Sequence, residues 1–332
     1  MEVSFEEKLV VAVVAYSAQF SHALTQEEIF HRLFYPHFLH VLEGKGSKKT
    51  SVISTPFLTA KTHKTLSLKE LSVVLARLVQ KKLLLQKGRY FTLFLTPQSL
   101  AITRPSPQVV AYKEQLIEEM VTLAQKVPWV LGVVLTGSYA AGARADKDDI
   151  DFLMITQKNR LWLTRLLFLL VTTLKGRRMR FPGGDISHSW DLNFWLDETR
   201  ISLPKGKQSL YEAYEVLQTR WVVQKNSIYE RFMKENKWVY QYFSENSFPK
   251  VSQSKNSSQG KLGKEYPFLL FRQLTSFIGD LFEKGAFFLQ VFYREKRHGK
   301  QRADAHSAFF HPESTRGKIL ENWQKLYTKT LA

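Results

Sequence analysis

The amino-acid sequence predicts an α+β protein with three parts: a small N-terminal domain, a central domain built around a β-sheet, and a helical C-terminal region. Three observations support this prediction. Helix-capping and hairpin patterns occupy residues 1–100, two apolar strands flank a Gly-Ser turn within residues 108–245, and aromatic side chains recur at helical spacing in residues 265–332. Residues 246–264 are polar and nearly free of large apolar side chains, which predicts a linker or loop.

The composition limits the class of protein. The chain has 332 residues and is 44% apolar, which is enough for two or three domains with sizeable cores. It contains no cysteine, which excludes a disulfide framework and cysteine-ligated zinc or iron–sulfur sites. The acidic start is a poor signal peptide, and no apolar run reaches the ~20 residues of a membrane span. We therefore expect a cytoplasmic protein with no membrane partner.

The net charge is strongly positive. Lys and Arg number 48 and Asp and Glu number 30, which gives a formal charge of +18. The excess is largest in residues 201–332, with 22 basic and 12 acidic side chains, and smallest in residues 101–200. Such a charge is either a solvated surface or an attraction for partners that carry phosphate, nucleotide or nucleic acid.

The first hundred residues predict three helices. An apolar segment at residues 5–20 has helical potential. Thr25 and Glu28 form a capping box that opens the second helix, and Ser67 and Glu70 form one that opens the third. The third helix has apolar residues at helical spacing: Leu71, Val74, Leu75 and Leu78.

A β-hairpin follows these helices. Apolar strands at residues 83–86 and 90–95 flank the turn at residues 87–89. Three helices and a hairpin resemble a winged helix-turn-helix domain, although the segment at residues 44–65 departs from its compact form. The resemblance implies that the third helix enters the DNA major groove and that the hairpin contacts phosphates. The alternative is a domain that packs on its own chain or on another protein. The candidate DNA contacts are Lys69, Arg77, Lys81, Lys82, Lys87 and Arg89.

The central domain carries the strongest chemical pattern. An apolar, β-branched run at residues 130–135 leads into Gly137 and Ser138, and Asp149 and Asp151 lead into a second apolar strand. Residues i and i+2 of a strand share a face, so the two carboxylates lie together while the residues between and after them face the core. Adjacent carboxylates repel unless a cation lies between them, and Mg²⁺ suits such a pair because it prefers oxygen ligands and binds substrate phosphates.

The Gly-Ser turn suits a phosphate. Gly137 lets the backbone approach a phosphate closely, and Ser138 offers an N–H and a hydroxyl. The alternative is a simple strand end followed by a solvated acidic loop. Arg144 and Lys147 flank the acids and are either charged helpers or an exposed pair in that loop.

Residues 115–240 resemble the nucleotidyltransferase domain of the DNA polymerase β superfamily. The shared pattern is an apolar strand, Gly137-Ser138, about ten residues, the acids Asp149 and Asp151 in an apolar strand, and then a helix at residues 161–174. The resemblance implies a nucleotidyltransferase fold with a mixed β-sheet. It also implies a nucleoside triphosphate substrate and two Mg²⁺ ions.

The family adds a third acid on a later strand. Asp191 is the candidate, because it lies in an alternating run that puts Asp191, Asn193 and Trp195 on one face. Asp185, in a turn, and Asp197, at the strand end, are the alternatives. By resemblance, Asp149, Asp151 and Asp191 are the catalytic and metal-binding residues, with Asp191 as metal ligand or general base.

The resemblance implies Mg²⁺-dependent transfer of a nucleoside monophosphate from a nucleoside triphosphate to an unidentified acceptor hydroxyl. The alternative function is a DNA-binding regulator whose transferase-like domain senses nucleotide and is catalytically weak. The basic run at residues 294–302 is either a solvated loop or a second nucleic-acid contact. The aromatic residues of the C-terminal region predict a helical core or a docking face: Phe268, Phe271, Phe277, Phe282, Phe287, Phe288, Phe292 and Tyr293.

Overall fold

The computed structural model describes residues 2–43, 66–98, 107–142, 149–177, 187–244, 247, 269–298, 302–310 and 314–332. These residues form an α+β structure with a three-stranded and a six-stranded sheet. The predicted loop at residues 44–65 lies outside the described residues, and so does the predicted linker apart from Ser247. Within the described ranges, no helix combines the length and apolar character needed to cross a membrane.

The N-terminal part contains the three predicted helices and the hairpin, together with a short strand, β1, and a short helix, α3, that were not predicted. Its sheet has the order β1-β3-β2 and is antiparallel throughout. Both predicted capping boxes are formed, at Thr25 and at Ser67, and a third is present at Ser4. The elements are α1 (Phe5–Ala18), β1 (Leu24–Thr25), α2 (Gln26–His31), α3 (Leu39–Leu42), α4 (Leu68–Gln80), β2 (Leu84–Lys87) and β3 (Tyr90–Leu93), with a 3₁₀ turn at Pro36–Phe38.

The central and C-terminal parts share one mixed sheet. The strand order is β7-β4-β5-β6-β9-β8, in which β5 and β6 are parallel and all other neighbours are antiparallel. The mixed α+β class that the sequence predicts is therefore confirmed. The central elements are α5 (Pro107–Gln125), β4 (Val130–Leu135), α6 (Gly137–Ala140), β5 (Ile150–Thr156), α7 (Leu161–Leu174), β6 (Trp190–Asp197), α8 (Leu210–Leu217), β7 (Arg220–Gln224) and α9 (Ile228–Glu235), with 3₁₀ turns at Lys205–Lys207 and Lys237–Gln241. The C-terminal elements are α10 (Leu269–His298), β8 (Arg302–Ala303), β9 (Ser307–Phe309) and α11 (Ser314–Leu331).

The C-terminal region differs from the wholly helical region that the sequence predicts. Strand β9 pairs antiparallel with β6, so this region adds two strands to the central sheet. Its last helix, α11, returns to the N-terminal part and packs against α1. Trp323 is fully buried there and donates its indole N–H to the carbonyl of Ala12 at 2.8 Å. The three predicted parts are thus packed together.

Helix α1 lies at the centre of this packing. Every residue from Leu9 to Ala18 is buried, so the helix is covered on all sides and is not amphipathic. Burial on all sides is typical of a helix inside a large core. One face of the central sheet, which includes Leu153 and Ile155, joins the same apolar cluster as α1, α8, α9 and α11. The opposite face packs on α5, α7 and α10.

Candidate active site

Asp151 and Asp191 lie side by side on neighbouring parallel strands. They are Cα partners in the register of β5 with β6, and such strands are about 4.8 Å apart. Ile150 and Phe152 on β5 are fully buried on the α5–α7–α10 face of the sheet. Because side chains alternate along a strand, Asp151 points to the opposite face. Trp190, the residue before Asp191, is buried on the α5–α7–α10 face together with Ile150 and Phe152. Asp191 therefore points to the other face, so the two carboxylates share a side of the sheet.

Asp149 immediately precedes β5 and is half-buried. It is two residues before Asp151, which places it at the same edge of the sheet and keeps the predicted i, i+2 relationship. The expectation that Ile150 and Phe152 face the core is confirmed. The structure therefore brings Asp149, Asp151 and Asp191 to one end of the parallel strand pair.

A β-bulge separates Asp191 from the rest of its strand. Asp151 pairs with Asp191 but Leu153 pairs with Phe194, so three residues of β6 span two residues of β5. The extra residue moves Trp195 to the opposite face, where it joins the cluster that contains Trp190. The prediction that Trp195 shares a face with Asp191 and Asn193 is therefore wrong for Trp195.

Asn193 orients the carboxylate of Asp191. Its side-chain Nδ2 donates a hydrogen bond to Asp191 Oδ2 at 2.5 Å. Both residues are half-buried. A hydrogen bond to one oxygen restricts the rotation of the carboxylate, which is a useful property for a metal ligand or a proton acceptor.

Gly137 lies directly against Asp151. Its φ angle is +66°, and a Cβ atom built on it would stand 2.1 Å from Asp151 Oδ2. The sequence predicts that this glycine lets the backbone approach a phosphate, and in the structure the group that it approaches is the Asp151 carboxylate. The backbone N–H of Thr136 donates to the Asp151 carbonyl at 3.1 Å, which ties the Gly-Ser turn to β5. Ser138 is the next residue of the short helix α6 and is half-buried.

Two contacts hold α6 in place from the central domain. The buried side chain of Tyr139 donates its hydroxyl to Glu114 Oε1 at 2.9 Å. Arg220 donates to both oxygens of the same carboxylate, at 3.0 and 2.8 Å. Helix α6 is thereby connected to α5 and β7.

The N-terminal part contacts the end of α6. Arg32 donates to the Ala141 carbonyl at 2.8 Å and to Ser17 Oγ at 3.0 Å. Burial lowers the pKa of Arg32, and the Glu28 carboxylate opposes that shift. A Cβ atom on Gly142 would stand 3.1 Å from the His22 ring. The sequence gives no local signal for these contacts, because Arg32 and Ala141 are 109 positions apart.

Asp197, the first alternative for the third acid, lies at the far end of β6. It is six residues from Asp191, or about 20 Å at ~3.3 Å per residue. Its carboxylate is fully buried and lies 2.7 Å from His306 Nδ1. It also accepts hydrogen bonds from Thr199 N at 2.8 Å and Thr199 Oγ1 at 2.5 Å. Asp197 therefore joins β6 to the β8–β9 segment, away from the Gly-Ser turn.

Asp185, the second alternative, lies outside the described residues, as do Arg144 and Lys147.

Asp151 and Asp191 are carboxylates, the kind of oxygen ligand that Mg²⁺ prefers. Among the described residues, no group of three or more His, Asp or Glu side chains is arranged to hold a metal ion by itself. Mg²⁺ is usually bound through one or two carboxylates together with substrate phosphates. Asp151 and Asp191 provide the two carboxylates. Thr136 Oγ1, beside the Gly-Ser turn, is buried with no hydrogen-bond partner within the described ranges. A bound ligand or water commonly satisfies such an atom.

Comparison with known proteins gives no assignment: no protein-family model, curated protein or solved structure matches this chain. Two features of the chain itself bear on its function: the pairing of Asp151 with Asp191 and the approach of Gly137 to Asp151.

Proposed function

We propose that this protein is a Mg²⁺-dependent nucleotidyltransferase that moves a nucleoside monophosphate from a nucleoside triphosphate to an acceptor hydroxyl. The observation that carries the proposal is the pairing of Asp151 with Asp191 across two parallel strands, with Gly137 against the Asp151 carboxylate. The topology supports it as well. The strand that ends at the Gly-Ser turn is antiparallel to the Asp149-x-Asp151 strand, and the Asp191 strand is parallel to it on the other side.

Each acid has a role in the proposed reaction. Asp149, Asp151 and Asp191 would hold two Mg²⁺ ions, which would offset phosphate charge and lower the pKa of the acceptor hydroxyl. Asp191, oriented by Asn193, accepts the hydroxyl proton as the oxygen attacks the α-phosphorus. The new P–O bond replaces the bond to the β-phosphate, and pyrophosphate leaves.

The Gly137-Ser138 turn serves the triphosphate in this proposal. Its backbone N–H groups donate to phosphate oxygens, and the absence of a side chain at residue 137 keeps Asp151 in position. Tyr139 and Arg32 are positioning residues, because they hold α6 from the central and N-terminal parts. The N-terminal part thereby supports the site directly.

The experiment that tests the proposal is incubation of the protein with each labelled nucleoside triphosphate, Mg²⁺ and a cell extract. We expect one triphosphate to label a macromolecule or small acceptor through its α-phosphate, with release of pyrophosphate. The matched control is the Asp149→Asn, Asp151→Asn double variant, which should transfer no label. Equal labelling by the double variant would contradict the proposal.

A DNA-binding regulator is the second candidate, because the N-terminal part has features of a winged helix. Its sheet order, β1-β3-β2, and its three capped helices support the resemblance to a winged helix-turn-helix domain. The hairpin residues Lys87 and Arg89 are exposed. In a regulator of this kind, the central domain binds nucleotide but does not catalyse its conversion. DNA binding together with Mg²⁺–nucleotide binding, but no pyrophosphate release, would favour it.

A further inference from the structure

Helix α10 packs against the protein through a side that carries several polar residues. Asp280 lies 2.7 Å from Arg160, and the Glu283 carboxylate accepts the backbone N–H groups of Trp162 and Leu163 at 2.7 and 2.8 Å. These two N–H groups belong to the first turn of α7, where a carboxylate is favoured. Burial raises the pKa of Glu283, and the two N–H groups oppose that rise. Asp280 and Glu283 therefore both face inward.

The same orientation continues about two to three turns further along α10. Gln290 is buried, accepts a hydrogen bond from Arg165 at 2.5 Å and donates one to the Trp162 carbonyl at 2.9 Å. The Arg294 guanidinium lies over the Phe310 ring at 3.9 Å from its centroid. An amphipathic helix on a protein surface normally turns its apolar side inward. Along residues 280–294 the inward side of α10 carries these polar side chains together with Ala286, Phe287 and Val291, and most of the large apolar side chains are turned outward instead.

The outer side of α10 is apolar. Its large residues are each 55–71% exposed: Leu281, Phe282, Phe288, Leu289, Phe292 and Tyr293. Among the exposed residues from 281 to 293, Lys284 is the one charged side chain. Helix α7 packs beside α10 and exposes further leucines: Leu166, Leu167, Leu170 and Leu174. We call the exposed apolar residues of α7 and α10 the α7–α10 surface.

The α7–α10 surface has the area of a protein interface. A fully exposed aromatic side chain presents about 150–250 Å², so the surface presents roughly 800–1,000 Å² of apolar side chain. The largest apolar patch of an ordinary monomer is about 300–600 Å². Two such surfaces together bury about 1,600–2,000 Å², which matches the ~1,600 Å² of a standard stable interface.

We infer that the α7–α10 surface is the interface of a homodimer, in which α7 and α10 of one copy pack on the same helices of a second copy. The spacing of Leu281, Gly285, Phe288 and Phe292 is four, three and four residues, which is the spacing of a helix–helix seam. Gly285 lies inside that seam, where a missing side chain permits close approach. A two-fold interface uses the same patch on both copies, and a nearly uncharged patch meets its own copy without repulsion between like charges.

The effect of salt on binding at the α7–α10 surface distinguishes a second copy of the chain from an anionic membrane or a nucleic acid. Each copy carries a formal charge of +18, so two copies repel at low salt and added salt screens that repulsion. The dimer should therefore tighten between about 50 and ~500 mM NaCl. An anionic membrane or a nucleic acid would show the opposite dependence, because salt weakens its attraction for a basic protein.

Sedimentation velocity of the full chain at several concentrations and salts tests the inference, with binding to vesicles of anionic phospholipid measured in parallel. We expect a dimer that tightens with salt. The Phe288→Glu, Phe292→Glu variant should be a folded monomer, because both side chains are exposed. Gly285→Glu should also be monomeric and folded, since a Cβ there meets nothing within 4 Å.

The matched control is Leu68→Glu, Val73→Glu on α4, which also replaces two exposed apolar residues. This variant should remain dimeric. A wild-type monomer at all concentrations would overturn the inference. The inference would also be overturned if the protein stayed monomeric and bound vesicles in a way that salt weakens. Loss of the dimer in the α4 variant, but not in the α10 variants, would overturn it as well.

Discussion

Gly137 and Asp151 approach each other so closely that a side chain at residue 137 cannot fit. A Cβ atom there would stand 2.1 Å from Oδ2 and 2.9 Å from Cγ of Asp151. The Asp151 backbone is fixed on both sides, by the register with Asp191 and by the hydrogen bond from Thr136 N. A larger residue at 137 must therefore displace the carboxylate. The glycine acts on the proposed metal site through Asp151.

The first prediction concerns Gly137→Ala. The methyl group should push the Asp151 carboxylate aside and weaken Mg²⁺–nucleoside triphosphate binding by at least tenfold, which calorimetry would measure. The control is Gly176→Ala. Gly176 has a φ angle of +67°, close to the +66° of Gly137, but nothing lies within 4 Å of a Cβ there. Both variants carry about 1–2 kcal/mol of backbone strain, so the difference between them reports the clash. Equal binding by both variants would contradict a positioning role.

The second prediction concerns Arg32→Met. Losing the hydrogen bond to the Ala141 carbonyl should loosen α6 and weaken Mg²⁺–nucleotide binding about tenfold, or roughly 1.4 kcal/mol. The control is Arg231→Met. Arg231 donates hydrogen bonds to the carboxylate and to the backbone carbonyl of Glu198. Arg231 is distant from the Gly-Ser turn, so that variant should bind normally. Normal binding by Arg32→Met would show that the N-terminal part does not support the site.

The third prediction concerns the pH dependence of stability through Glu7. Burial raises the pKa of Glu7, but the hydrogen bonds and charge of Lys81 and the Ser4 backbone outweigh it, so the pKa lies below its ordinary value. A carboxyl with a lowered folded-state pKa stabilises the fold above its unfolded pKa and loses that effect as the pH falls through the folded value.

Glu7→Gln should therefore lower the free energy of unfolding by about 1–3 kcal/mol at neutral pH. The difference from the wild type should shrink as the pH falls below the ordinary value of 4.5. Urea unfolding across this pH range measures it, with Glu27→Gln, an exposed carboxyl on α2, as the control. A difference that does not change with pH would exclude the ion pair as its cause.

The fourth prediction concerns DNA binding by the N-terminal part. Lys81 bonds Glu7 Oε2 at 2.7 Å and the Glu2 carbonyl at 2.9 Å, whereas Lys82, Lys87 and Arg89 are exposed. In the full chain, changing Lys82, Lys87 and Arg89 to Ala should make duplex binding less dependent on salt. The slope of the log binding constant against log salt concentration should fall in magnitude by about 0.9 for each phosphate that is no longer neutralised. Lys81→Ala should leave the slope unchanged and lower stability. No duplex binding even at ~50 mM salt, where such interactions are strongest, would favour a protein-docking role for this part.

Local patterns in the sequence predicted much of the fold. The capping boxes at Thr25 and Ser67 form as predicted, because a cap depends on residues three positions apart. Asp149 and Asp151 lead into a strand in which Ile150 and Phe152 are buried, as the alternation predicts. These features depend on short-range periodicity, which a sequence displays directly. The position of Asp191 beside Asp151 was implied by the family resemblance and not by periodicity.

Long-range features could not be predicted in the same way. The bulge that turns Trp195 to the other face depends on how β6 registers with β5, and the contact of Arg32 with Ala141 depends on the docking of two distant segments. The aromatic spacing at residues 268–293 predicted a helical core or a docking face. In α10 the described aromatic side chains are divided, because Phe287 packs inward on Trp162 whereas Phe282, Phe288, Phe292 and Tyr293 are exposed. Periodicity does not specify which side of a helix other elements cover.

The most direct test of the proposed function compares Asp191→Asn with Asp197→Asn in a single-turnover assay of pyrophosphate release from Mg²⁺–nucleoside triphosphate with the acceptor present. Both acids are on β6, but Asp191 faces Asp151 while Asp197 is buried against His306. We expect Asp191→Asn to retain nucleotide binding and to lose at least about 100-fold in rate. Asp197→Asn should release pyrophosphate at a rate near that of the wild type. Full activity in Asp191→Asn, with the loss falling on Asp197→Asn instead, would contradict the proposed site.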